Sequence, residues 1–355
     1  MKIALVGIYP PPYGGRSIHI QRLKKRLEED GVACTVYENS GVLKNENNVI
    51  IMKSVSTWLI GQLLRSTEDV IHCHDYSPKL LILFSLLSIL RGKSVIFTLH
   101  SFRYSPKDLD LWHKFALWLV TRVRVYFITV SPQIKEKIVS LGVKPEYVEV
   151  IPSFIPPGMR EEEIAEIPQE VWDFIDNRSP IISANAARMS FHNNQDLYGI
   201  DMCIDLCANL KKTYPQIGFV FCLPDIGNCK YFEKMKRRIK EKGIEDNFLF
   251  QTKPCQLYPI IMKSDVFVRP TNTDGYSASV AEAIYYKVPA VASDICLRAE
   301  GTLLFNSRDI NDFALKVKDV LGNCGKYEEW LKKISLDDNF EKILKIYRKL
   351  IEEVN

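Results

Sequence analysis

Two parallel α/β domains are the fold class that this sequence predicts. Three observations carry it. Short apolar runs alternate with helical spacing through the first half, Pro- and Glu-rich residues interrupt the rhythm at 152–180, and the alternation then restarts. Strands separated by helices imply parallel sheets covered on both faces. A length of 355 residues suits about two such domains. The expected boundaries are 1–160 for a Rossmann-like N-terminal domain and 161–179 for a linker. A second Rossmann-like domain follows at 180–336, and a helix at 337–355 packs back on the first.

In order, residues 3–8 read as a buried strand, then a Pro/Gly loop leads to a helix with Ile20, Leu23 and Leu27 on one face. Strands follow at 70–74, 94–99 and 126–130, with an apolar helix at 80–90 between the first two. Ser131-Pro132 opens the next helix, a hydroxyl cap before a proline at the first helical position, and a strand at 147–151 closes the half. The second half reads as strands at 180–183, 218–223, 247–251, 266–269 and 290–293. Helices at 201–212, 232–242 and 279–286 lie between them, and two charged helices end the chain. Sheets of this kind bind ligands at the carboxyl ends of their strands, so a cleft between the two domains is expected.

Composition narrows the function. With 46% apolar and 25% charged residues the chain can bury a core. Lys+Arg 47 against Asp+Glu 43 leaves a charge of +4, too even for a nucleic-acid-binding face. Nine cysteines without a Cys-x-x-Cys pair exclude a zinc ribbon and a disulfide scaffold, and predict reduced thiols in the cytoplasm. The run 80–90 is too short to span a bilayer, which needs about 20 residues.

Three places carry chemistry. Gly14-Gly15, between the first strand and the first helix, lets backbone approach a ligand. His72, His74 and Asp75 end one strand and His100 ends another; no metal-ligand spacing joins them, so no metal is assigned. The third is Arg269-Pro270-Thr271-Asn272-Thr273-Asp274-Gly275-Tyr276-Ser277-Ala278-Ser279-Val280-Ala281-Glu282. A strand ends there, a polar loop follows, and a helix starts with small side chains and free amides, an anion and hydroxyl site with Asp274 and Glu282 as acceptors.

These residues resemble the retaining GT-B glycosyltransferases of family 4. Asp274-Gly275-Tyr276-Ser277 through Glu282 has the family's acidic spacing, with Asp for the first Glu and Ser for the second Gly. Val288-Pro289-Ala290-Val291-Ala292-Ser293 is similar to its following strand. Gly14-Gly15, Val70-Ile71-His72-Cys73-His74, His100 and Ala187-Arg188 look like its other landmarks. The resemblance implies a metal-independent enzyme that moves a sugar from a nucleoside-diphosphate donor to a hydroxyl. The acceptor would be a glycan or lipid-linked glycan of surface polysaccharide biosynthesis, and no separate cofactor is expected. It implies His100 and Asp274 as catalytic residues. Gly14, Gly15, Arg188, Asp274, Gly275, Tyr276, Ser277, Ala278 and Glu282 would bind the donor, Glu282 through the ribose.

The family's diphosphate lysine is missing: Tyr198-Gly199 stands in its place, with Arg269 and Arg298 as substitutes. Two alternatives therefore stay open, a catalytically weakened nucleotide- or glycan-binding partner protein and a nucleotide-sugar epimerase. Trp112, Lys114, Phe115, Trp118, Arg122, Arg124, Tyr126 and Phe127, in a segment without acids, predict peripheral contact with the inner face of an anionic membrane.

Overall fold

The computed structural model describes residues 1–41, 46–52, 54, 58, 61, 67–102, 109–123 and 125–353. It divides into two compact units, one of Met1–Pro12, Arg16–Ile155 and Asp338–Asn355, the other of Tyr13–Gly15 and Pro156–Asp337.

The first unit holds β1 (Lys2–Gly7), β2 (Ala33–Glu38), β3 (Val49–Ile51), β4 (Val70–Cys73), β5 (Ser94–Leu99), β6 (Val125–Thr129) and β7 (Val148–Val150). They form one parallel sheet in the order β3-β2-β1-β4-β5-β6-β7. Its helices are α1 (Gly15–Glu29), α2 (Pro78–Arg91), α3 (Leu111–Val120) and α4 (Pro132–Ser140). Ser77 caps α2 by accepting from the Leu80 N–H, whereas Ser131 precedes α4 without a side-chain cap bond. Ile3, Leu5, Ile20, Leu23 and Leu27 share a core with Phe340, Ile343 and Tyr347 of the terminal helix. Burial at this spacing is what holds that helix in the unit.

The second unit begins with α5 (Glu161–Ala165) and α6 (Gln169–Asp176). The stretch read as a linker is thus helical, and Val171, Phe174 and Ile175 of α6 pack with Ile181, Val220 and Ile260. The sheet contains β8 (Ile181–Asn185), β11 (Gly218–Cys222), β12 (Phe248–Gln251), β13 (Val266–Arg269), β14 (Ala290–Ser293) and β15 (Thr302–Phe305), parallel and ordered β12-β11-β8-β13-β14-β15. A hairpin of β9 (Phe191–His192) and β10 (Gln195–Asp196) stands apart from it. Helices α7 (Ile200–Lys211), α8 (Cys229–Glu241), α9 (Tyr258–Met262) and α10 (Ala278–Tyr285) connect the strands. The chain ends in three helices rather than two: α11 (Ile310–Gly322), α12 (Cys324–Lys332) and α13 (Asn339–Glu352).

Strand order reverses beside β1 in the first unit and beside β8 in the second. At such switch points neighbouring connections leave in opposite directions and open a crevice at the carboxyl edge. Both groups of candidate residues lie at these two places.

Candidate active site

In the second unit the switch point lies between β8 and β13. Arg269 ends β13, and its Nη1 donates to the carbonyl and to Oδ1 of Asn185, the last residue of β8, at 2.8 and 3.0 Å. Asp274, in the loop after β13, ties two guanidiniums together. Its Oδ2 lies 3.3 Å from Nε of Arg269 and 3.1 Å from Nη1 of Arg298. Arg298 also donates through Nη2 to Thr271 Oγ1 and Ser293 Oγ, both at 3.1 Å, and through Nε to the Ser293 carbonyl. Burial alone would raise the Asp274 pKa, but the two guanidiniums outweigh it and hold the carboxyl below its ordinary range. One carboxylate against two guanidiniums leaves the trio with a net positive charge.

The loop then turns into α10. The Gly275 N–H donates back to Asp274 Oδ1 at 3.1 Å. Tyr276 is half-buried, and burial pushes its phenol up to about 12. Ser277 is the N-cap residue, but its hydroxyl meets Ser279 Oγ at 3.2 Å and does not cap the helix. Ala278 is the first helical residue, and Glu282 lies one turn further along, buried.

Arg188 follows β8 on a more open surface, its Nε 3.5 Å from Asp225 Oδ2. The Leu223-Pro224-Asp225 turn after β11 has a glycine two residues later. Gly227 takes a left-handed φ of +63°, and a Cβ there would sit 2.8 Å from the Met189 carbonyl oxygen. The close approach of that turn to the Arg188 loop therefore needs a glycine.

The place of the missing lysine has a physical account. Asp196, at the end of β10, accepts from the N–H groups of Tyr198, Gly199 and Ile200 at 2.9–3.2 Å and from the Tyr231 hydroxyl at 2.9 Å. Its carboxylate thus satisfies the α7 N-terminus, where an external anion would otherwise bind. Burial raises the Asp196 pKa. Tyr198 lends its ring to the Arg269 guanidinium, 5.0 Å from the centroid. The tyrosine and the arginine thereby form one packed unit.

In the first unit the switch point lies between β1 and β4. The His74 N–H donates to the Val6 carbonyl at 2.8 Å, and a Cβ on Gly7 would meet His74 Cβ at 3.3 Å. Gly14 and Gly15 lie between β1 and the body of α1; a Cβ on Gly15 would meet nothing within 4 Å, so packing does not demand that glycine. His100 directly follows β5, half-buried, with Nε2 3.3 Å from Nδ1 of His74. His72 lies against His74, ring centroids 4.1 Å apart, but both its nitrogens are taken, by the Tyr347 hydroxyl and Thr98 Oγ1, each at 2.6 Å. Asp75 is engaged by Arg16 and Asn39, each at 2.6 Å. Buried His19 of α1 joins His74 and His100, a neighbour the sequence reading did not include.

Comparison with known proteins bears on these features. Residues 13–158 match the model of Glycosyltransferase Family 4, and residues 189–335 match that of Glycosyl transferases group 1. The chain belongs to the family 4/group 1 glycosyltransferases. An uncharacterised glycosyltransferase of Methanocaldococcus jannaschii is 21% identical to it, over 99% of both chains. Among solved structures, this glycosyltransferase superposes on HepE of Anabaena in complex with UDP with a TM-score of 0.67 and 15% identity, over 100% of this chain and 98% of that one. A glycosyltransferase of Rickettsia africae gives 0.72 at 14% identity, over 99% and 98%. Sucrose-phosphate synthase of Thermosynechococcus elongatus gives 0.68 at 14%, over 99% and 97%. The two parallel-sheet domains are those of the GT-B fold.

For a family 4 glycosyltransferase, the structure gathers Asp274, Gly275, Tyr276, Ser277, Ala278 and Glu282 on one loop and helix, with Arg188 on a neighbouring loop of the same unit. It adds Asn185, which the sequence reading missed, and gives partners to Thr271 and Ser293, which that reading quoted without a role. Asn185 bonds Arg269 across 84 residues and Thr271 bonds Arg298 across 27, so no local pattern shows these pairings.

Proposed function

We propose that this glycosyltransferase is a retaining enzyme that moves a sugar from a nucleoside-diphosphate donor to a hydroxyl of a glycan or lipid-linked acceptor in surface polysaccharide biosynthesis. The observation that carries the reading is the Arg269–Asp274–Arg298 trio. It stands at the switch point, carries net positive charge, and directly precedes α10 with Glu282 inside. As the glycosidic bond breaks, the departing diphosphate gains negative charge. Preorganised cations and helix-start amides stabilise that charge more than they stabilise the bound donor. Arg188 and Arg269 supply the cations, and Ser277 with Ala278 supplies the helix start.

Asp274 Oδ2 is spent on the two arginines, and Oδ1 retains lone-pair capacity for a sugar hydroxyl beside the Gly275 amide. Glu282 accepts from the ribose, and His100 serves the reacting sugar. The solved complexes of HepE with UDP, with UDP and glucose, and with UDP-glucose support a nucleoside-diphosphate hexose as donor. The diphosphate contacts use no divalent ion in this reading. A thermal-shift screen of nucleoside-diphosphate sugars should find one that stabilises the chain, because a ligand of the folded state raises stability by mass action. Its shift should be the same with EDTA present. No stabilising donor, or a shift that EDTA abolishes, would contradict the reading.

The lipid-linked acceptor places the enzyme at a membrane surface. On α3, Leu111 is 83% exposed, Trp112 68%, and Phe115 and Trp118 about half, and α3 packs against α2 with its exposed Ile89 and Leu90. Lys114, Arg91 and Arg122 are exposed on the same two helices and just beyond, with the Arg122 guanidinium 3.9 Å from the Trp118 ring centroid. Aromatic side chains with cations around them suit an anionic headgroup layer, each basic residue adding about 1 kcal/mol. Two residues leave the sequence-derived patch: Phe127 is buried against Phe97, and Tyr126 is half-buried and donates to Glu353. Arg124 lies outside the described residues. No helix among the described residues is long and apolar enough to cross a membrane, so the contact is peripheral.

A further inference from the structure

At the carboxyl edge of the first unit's sheet stands a polar cluster for which sugar transfer has so far no use. Asp75 follows β4, Asn39 follows β2 directly, and Arg16 lies in the first turn of α1. Arg16 Nη1 donates to Asp75 Oδ1 and Asn39 Nδ2 donates to Asp75 Oδ2, each at 2.6 Å. We propose that Arg16, Asn39 and Asp75 form the acceptor subsite, and that it takes an uncharged sugar ring through two adjacent hydroxyls. The proposal rests on the reading of transfer to a hydroxyl and names the ligand class that supplies it.

Place is the first argument. β1 lies between β2 and β4, and a Cβ on Gly7, its last residue, would stand 3.9 Å from Asp75 Oδ2. The carboxylate thus sits over the end of β1, at the switch point where the crevice opens. Burial above all, then His19 and Arg16, holds the His100 pKa well below the ordinary value. Arg16 is therefore a neighbour of the imidazole assigned to the reacting sugar, where an acceptor hydroxyl has to arrive.

Unused bonding capacity is the second argument. Each Asp75 oxygen takes one side-chain donor, and a carboxylate oxygen can accept two. Arg16 commits one arm of its guanidinium to that bond, and its side chain is 47% exposed. The rest of its fork remains available. Asn39 is half-buried and keeps a carbonyl oxygen and a second N–H. The turn that carries it is preorganised, because buried Glu38 accepts from the N–H groups of Ser40 and Gly41 at 2.5 and 3.0 Å.

Charge is the third argument. The guanidinium and the carboxylate cancel and the amide is neutral, unlike the net positive trio of the second unit. A neutral cluster with both donors and acceptors does not select an anion. It does suit a diol, in which one hydroxyl donates to the carboxylate while its neighbour accepts from the guanidinium or the amide.

The test uses the full-length protein with UDP and a panel of methyl glucoside, galactoside, mannoside and N-acetylglucosaminide, followed by saturation-transfer NMR. At least one glycoside should bind and should resist displacement by inorganic phosphate. Asp75→Ala should weaken it about tenfold or more, and Asn39→Ala, which leaves the ion pair in place, about 2- to 10-fold. Analogues lacking either of the two adjacent hydroxyls should lose binding to the wild type, which a purely structural cluster would not cause. UDP signals in the variants should match the wild type and show that the fold is kept. Absence of UDP binding in the wild type would contradict the donor reading, while the glycoside signals still decide this one. No glycoside bound by the wild type, binding unchanged in both variants, or displacement by phosphate would overturn the proposal.

Discussion

At the residue scale, Asp274 sits in the loop between β13 and α10 and pairs with two buried arginines at once. Asp274→Ala should leave both guanidiniums underpaired and cost about 3–5 kcal/mol of stability, measured as a shift in urea midpoint. The pH dependence follows from the depressed carboxyl. A group whose folded pKa is lowered contributes stability that is complete above its unfolded value, about 3.9, and is lost as pH falls through the folded one. Wild-type stability should therefore drop more steeply below about pH 4 than that of Asp274→Asn. Glu282→Ala should weaken nucleotide binding by about 1.5–3 kcal/mol, roughly 10- to 150-fold in Kd by calorimetry, with the fold intact. Asp274 and Glu282 stood out in the sequence through the resemblance of their spacing to the family's acidic pair. Arg298 was legible only as a candidate cation, because its four bonds lie on Thr271, Asp274 and Ser293, which the fold alone brings together. His19 gave no signal, since nothing in its own helix distinguishes it from a satisfied core histidine.

At the element scale, β5, β13 and β14 were legible to the residue because each is a buried apolar run with clear punctuation on either side. Three other strands, β2, β3 and β15, were not. β2 alternates polar and apolar residues, while β3 and β15 are short and partly exposed, so neither has the run that marks a buried strand. The helix at 80–90 read as one apolar run between strands, and Leu86, Ile89 and Leu90 face outward; a wholly apolar run does not say which side is covered. At the start of α7, Gly199 has φ +68°, and a Cβ there would lie 2.3 Å from the Pro270 carbonyl oxygen. Gly199→Ala should cost about 2 kcal/mol or more, read from chemical unfolding. For α3, the wild type should float with anionic vesicles at low salt and lose contact at high salt. A Trp112→Ser/Trp118→Ser double variant should stay in the soluble fraction in both. Equal flotation of variant and wild type would remove α3 from the contact.

On the scale of the whole molecule, two parallel sheets each open a crevice where their strand order reverses. The sequence supplied the two α/β halves through the break in rhythm near 152–180. It did not show that α6 belongs to the second core, because Val171, Phe174 and Ile175 acquire partners only from β8, β11 and α9. Each crevice holds a charged or imidazole cluster assembled from distant segments, and the family match covers both halves. The central claim is transfer of a sugar from a nucleoside-diphosphate donor. The most direct measurement incubates the chain with a panel of such donors and hydroxyl acceptors, counts released nucleoside diphosphate and reads the product anomer by NMR. The predicted result is release from one donor that requires an acceptor, with the donor's anomeric configuration kept, and loss of that release in Glu282→Ala. Tight nucleotide binding with no transfer from any donor, epimerised donor without acceptor, or an inverted product would contradict it.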